Sequence, residues 1–240
     1  MTHPDPSSIL PAPRPARWLR PLKLILLTAT AVALLLPFDD TISHAARSVP
    51  LSDSLHRSLA TLQQWGEFSA LILVTALIGL LDENRRHRLW DLWAGMGLAF
   101  LACVLIMCLL GRPQPRAAHD PWAFVLPWQT YRFSDGTVTH AWNLFHHGTW
   151  RLWSMPSRRS MAAMVMSIFL AALYARLKYL AVAMVIVVGV TRVLLGAHYP
   201  TDVLIGALVG YLASWSIVRG QLVSRLVPGK APPPDAPPQR

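Results

Sequence analysis

Apolar residues along the chain gather into six runs, over 22–38, 59–81, 91–110, 161–175, 179–197 and 202–218. The third, about 20 residues long, is enough to cross a hydrocarbon core of roughly 30 Å as a helix. The first run lacks a small-residue cleavage site and ends at Asp39 and Asp40, so it is expected to be retained as a span, with a signal-anchor as the other reading. The second begins with polar residues, Gln63, Gln64 and Glu67, which belong at an interface. Between the third and fourth runs lies the one long polar stretch, 111–157. This pattern predicts an all-α, polytopic membrane bundle of six helices.

Residues 1–20 are rich in Pro and Arg and residues 220–240 in Pro, so both read as tails around a membrane domain over 21–219. Basic residues set the orientation. Arg14, Arg17, Arg20, Lys23, Arg85, Arg86, Arg88, Arg176, Lys178, Arg219 and Arg225 all fall on one side of a six-span chain. The positive-inside rule makes that side cytoplasmic, with both termini, and makes stretches 39–58, 111–157 and 196–201 face outward from an inner or plasma membrane.

Composition agrees: 53% of residues are hydrophobic and 14% charged, too apolar a balance for a soluble domain. The net charge of +10 sits in short clusters between apolar runs, without the continuous basic face that nucleic-acid binding needs. Cys103 and Cys108, five apart in one apolar run, imply neither a disulfide framework nor a zinc site. Trp122, Trp128, Tyr131, Trp142, Trp150 and Trp153 suit a headgroup-level belt. Gly206 and Gly210 form G-x-x-x-G, whose expected use is packing within the bundle; a homodimer is the other use.

The chemistry concentrates at Thr191-Arg192-Val-Leu-Leu-Gly-Ala-His198-Tyr-Pro-Thr-Asp202. Counted from Tyr179, Arg192 lies about 20 Å along its helix, below the outer interface, where a guanidinium needs an anion or a wet cavity. Gly196 can end that helix and Pro200 can open the next. The turn between them carries His198, four residues before Asp202. A second group, Gly111-Arg112-Pro113-Gln114-Pro115-Arg116, follows the third run; a third, Met155-Pro156-Ser157-Arg158-Arg159-Ser160, leads into the fourth, where a helix start, a hydroxyl and two Arg suit an anion.

In order and spacing these groups resemble the signature of the type 2 phosphatidic acid phosphatase (PAP2) superfamily, whose site is shared with vanadium haloperoxidases. The resemblance covers residues 39–218. It implies a metal-free and cofactor-free phosphatase in which His198 is the nucleophile and forms a phosphohistidine, and Asp202 orients it. It also implies that Arg112, Arg192 and Ser157 hold the phosphate, and that the partner is a membrane lipid (di)phosphate such as undecaprenyl diphosphate or phosphatidate.

Two family positions differ. The first-motif Lys is Leu105, and the second-motif Gly-His is Arg158-Arg159. That His is the family's general acid, a role arginine cannot fill because it stays protonated. Three readings follow: Arg158 or Arg159 serves as an extra phosphate clamp for a diphosphate lipid, an acid enters from His140, His146 or His147, or the protein binds lipid phosphates without turnover. A small transporter fits composition alone, but the halves show no internal repeat.

Overall fold

The structure, a computed structural model, describes residues 19–118, 122–143, 146 and 148–226; most of both expected tails, and His147, lie outside the described residues. Eight α-helices occur among them: α1 (Leu19–Leu35), α2 (Asp39–Ser48), α3 (Asp53–Leu62), α4 (Phe68–Leu81), α5 (Leu89–Leu109), α6 (Arg158–Leu173), α7 (Lys178–Leu194) and α8 (Pro200–Ser216). The bundle is helical, as the apolar pattern requires. Six of these helices, α1 and α4 to α8, correspond to the six runs.

The runs differ in how they meet the membrane. Among the described residues, three helical stretches are long and apolar enough to cross by themselves: Leu19–Ser48, Glu83–Leu109 and Ala175–Leu194. A fourth, Asp53–Gly66 with Phe68–Leu81, is bent by 61°. Helices α6 and α8 are shorter, at 16 and 17 residues, and carry Ser, Thr and Gly because their neighbours are protein. They pack on one another at the centre. A Cβ on Gly206 would lie 2.4 Å from the Ser157 carbonyl oxygen, and one on Gly210 2.4 Å from that of Met161. The G-x-x-x-G face is therefore occupied within the chain. Around it sit Leu92, Ala99, Cys103, Val165, Met166 and Phe169, all buried. Cys108 is buried too, and both thiols are free.

The stretch 39–58, expected as an outer loop, instead forms α2 and the start of α3, which reach α7 and α8. Ser52 caps α3 by accepting a hydrogen bond from Leu55 N–H, at 3.3 Å. The second run is not one straight helix. It breaks at Gly66 and Glu67, because Gly66 lies so close to the Arg159 carbonyl that a Cβ there would be 2.4 Å from it. The described part of the 111–157 stretch folds over the same end, with a small hairpin of β1 (Tyr131–Arg132) and β2 (Val138–Thr139) and a core of Val125, Phe133 and Leu152. At the opposite end Asp91 accepts from Arg88 and from the Val223 and Ser224 backbone amides. The packed chain thus extends to about residue 224, a few residues into the stretch read as a tail.

Candidate active site

The starts of α4, α6 and α8 and the ends of α5 and α7 meet at one end of the bundle. This brings Glu67, Arg116, Arg158, Arg159, Arg192 and His198 around one cavity of about 890 Å³. Its floor is polar. Its wall along α4 and α5 is apolar, formed by Phe68, Leu71, Trp93, Met96 and Phe100. Trp150 and Trp153 come from the folded-over loop.

His198 sits in the turn that Gly196 makes possible, with φ +62 at that glycine. Its Nδ1 lies 2.6 Å from the carbonyl oxygen of Ser154. A carbonyl only accepts, so Nδ1 carries the proton and Nε2 keeps its lone pair. Burial, then the nearby Arg192, hold the imidazole well below 6.5, the ordinary histidine value, against the opposing pull of the Ser154 carbonyl. The ring is therefore neutral near pH 7.

Asp202, expected beside the ring, is 3.9 Å from Nδ1 and does not bond it directly. Its Oδ2 accepts from Ser154 Oγ at 2.6 Å and from the Tyr199 backbone N–H at 2.9 Å, closing the start of α8. Ser154 joins the two residues: its hydroxyl donates to Asp202 and its carbonyl accepts from His198. Sequence reasoning missed Ser154, since a serine before the Met-Pro of the second motif carries no signal of its own.

Arg112 is placed otherwise than expected. It is 1% exposed and is absent from the cavity wall. One Nη donates to Asp202 at 2.8 Å and to Thr201 Oγ1 at 2.9 Å, and the other to Asp39 at 2.9 Å. The guanidinium also stacks 4.0 Å from the Tyr199 ring centroid. The Thr201 hydroxyl donates in turn to Asp39. Arg112 thus joins α2 to α8 and holds no free donor fork toward the cavity. Ser157 is also fully buried: it caps α6, accepting from Ser160 N–H and Oγ, and does not line the cavity.

Arg192, Arg158 and Arg159 are in the cavity wall. Arg192 donates to Gln63 Oε1 at 2.9 Å, and its Nε has no partner among the described residues. Arg159 pairs with Glu67. Arg116, a cation the sequence placed beside Arg112 without a role, lines the cavity and donates to the Gly196 carbonyl at 3.2 Å. Arg151, also in the wall, pairs with Asp135 at 2.7 Å. The Thr137 backbone amide, then Arg151, hold that carboxyl down at about 2. Among the described residues Arg116, Arg158 and Arg192 have no carboxylate within ion-pair distance. Neither His140, half-buried, nor His146, exposed, lines the cavity.

A neutral nucleophilic nitrogen, surplus guanidinium groups and an apolar wall together suit a phosphorylated lipid. Residues 88–225 match the sequence model of the PAP2 superfamily. No curated protein matches the chain. Two solved structures are similar. One is the first transmembrane PAP2 type phosphatidylglycerolphosphate phosphatase from Bacillus subtilis, at 23% identity and TM-score 0.56, covering 84% of this chain and 94% of that one. The other is Aquifex aeolicus LpxE, at 14% identity and TM-score 0.55, covering 75% of this chain and 93% of that one.

Proposed function

The chain belongs to the PAP2 superfamily, and from that premise we propose that it removes the terminal phosphate of a membrane lipid diphosphate through a phosphohistidine on His198. The observation that carries this reading is the pairing of Nε2, free to attack, with three arginines that have no carboxylate within ion-pair distance among the described residues, beside an apolar wall. In the first half-reaction Nε2 attacks the terminal phosphorus, and the bridging P–O bond breaks with its electrons going to the lipid monophosphate. The Nδ1 proton stays on the ring, so the imidazole becomes a phosphoimidazolium. The Ser154 carbonyl and the Asp202 carboxylate stabilise that charge. Arg192, Arg158 and Arg116 lie where charge gathers on the phosphoryl oxygens.

A diphosphate is favoured over a monoester because Arg158-Arg159 stands where the family's acid stands. A lipid phosphate leaves without the protonation that an alkoxide needs. Purified protein should therefore release phosphate from undecaprenyl diphosphate at least tenfold faster than from phosphatidate, since the missing acid costs about 10²–10⁴-fold on the monoester. Equal or reversed rates in a phosphate-release assay reject the diphosphate assignment. A binder without turnover is the second reading, favoured by the Arg159–Glu67 pair in the acid's place. It requires no phosphate release even at high enzyme concentration. With the basic end of the bundle on the cytoplasmic side, the cavity opens outward from the plasma or inner membrane.

The imidazole also fixes a pH dependence. Its folded value is lowered, so in the free enzyme the nucleophile stays neutral as pH falls through 6.5. In kcat/KM the limb belonging to this group should lie clearly below 6.5, and a limb at or above that value would contradict the buried placement. Between the two values the unfolded chain binds the extra proton. This group's contribution to stability is therefore complete above 6.5 and drains away as pH falls toward the folded value.

A further inference from the structure

The proposed first half-reaction leaves a phosphorylated His198 that water must then clear, and arginine cannot accept the proton that water gives up. Among the described residues that line the cavity, Glu67 is the one carboxylate. It stands at the break between α3 and α4 with an extended backbone, φ −103 and ψ 161, where the chain bends by 61°. Its Oε1 is held by Arg159, at the second-motif position where the family carries its acid–base histidine. In the 3-10 turn just before it, Gln63 accepts from Arg192. The same short segment thus touches two of the cations that line the cavity, Arg159 and Arg192.

Glu67 and Arg159 also line a second cavity of about 570 Å³ with Gln63, Gln64 and Ser69. The carboxylate therefore lines both a mostly polar space and the larger cavity with its apolar wall. Water reaching the phosphohistidine from that side passes the only proton acceptor described in the wall.

We infer that Glu67 is the general base of the second half-reaction, assisted by Arg159, which fixes its position. This rests on the phosphohistidine reading given above. A water oxygen attacks the phosphorus of the phosphoimidazolium and its proton passes to the Glu67 carboxylate. The P–Nε2 bond breaks with its electron pair returning to Nε2, so His198 is regenerated neutral with Nδ1–H still on Ser154. The protonated Glu67 then yields its proton to the departing phosphate or to solvent. The divided site explains how a chain without the second-motif histidine can complete turnover: the first step needs no acid when the leaving group is a phosphate, and the second finds its base on α4.

The test uses the full-length protein in detergent with undecaprenyl diphosphate labelled at the terminal phosphate. Glu67→Gln should release about one equivalent of lipid monophosphate per enzyme at close to the wild-type rate. It should then stall, with label on the protein in an alkali-stable form and phosphate release down about 10²–10⁴-fold. Exogenous formate should restore phosphate release to Glu67→Ala, an effect a merely structural role would not produce. Wild-type turnover in Glu67→Gln, or loss of its first equivalent together with an absence of formate rescue in Glu67→Ala, overturns the assignment. Phosphate release that persists in His198→Ala overturns instead the phosphohistidine reading on which it rests.

Discussion

Replacing His198 with alanine should lower phosphate release by roughly 10⁴–10⁶-fold, the scale on which removal of a covalent nucleophile is felt. The fold should be retained. The ring makes one described hydrogen bond, to the Ser154 backbone carbonyl, and its loss leaves the side-chain bonds of Arg112 untouched. Two measurements on the same preparation separate the possibilities. Label from the terminal phosphate should appear on the wild-type protein and be absent from His198→Ala, while thermal unfolding in detergent should shift by only a few degrees. A variant that retains phosphate release within tenfold of the wild type would show that the imidazole does not attack phosphorus. The expected loss is larger than that for any single cation, because removing one stabiliser of developing charge typically costs about 10²–10³-fold, whereas no other described group in the cavity offers a neutral nitrogen lone pair.

Part of this arrangement could be read from the chain itself. The junction of α7 and α8 was legible because its elements are local: an arginine deep in an apolar run, a glycine that can adopt φ > 0, and a proline at a helix start. Six apolar runs likewise announced the bundle. What the pattern did not carry were choices between partners far apart in sequence. Arg112 had several acidic residues available, and its commitment to Asp39 and Asp202 depends on α1 and α2 delivering Asp39 to the start of α8. A pattern of cations near helix ends cannot distinguish a guanidinium held by two carboxylates from one left to face a cavity. The same limit hid Arg116 and Glu67. Glu67 entered the site through the bend at Gly66, a feature set by the close approach of that glycine to the Arg159 backbone. Ser157 shows the converse error: a hydroxyl at a helix start suits a bound anion, but here it is used to cap α6.

Arg112→Ala should therefore act on folding, where a substrate-binding arginine would act on KM. Without the guanidinium, Asp39 and Asp202 lose their described charge partner in a buried location. Breaking a buried pair from one side costs about 3–5 kcal/mol, because the remaining charge is uncompensated. Thr201 and Ser154 still donate to the carboxylates, which moderates the loss without neutralising it. The measurement is the thermal unfolding midpoint of the purified variant in detergent, expected to fall sharply, with Arg192→Ala as the contrast. Arg192 donates to one neutral glutamine side chain and is otherwise turned to the cavity, so its removal should spare the midpoint and depress kcat/KM by about 10²–10³-fold. The coupling can be isolated by adding Asp39→Asn to Arg112→Ala. Because the amide carries no charge, the double variant should lose less than the sum of the single losses, with a coupling of about 0.5–3 kcal/mol. Additive losses would mean that the two side chains act independently. A stable Arg112→Ala protein whose only defect is a raised KM would return Arg112 to the phosphate and contradict the network that joins α2 to α8.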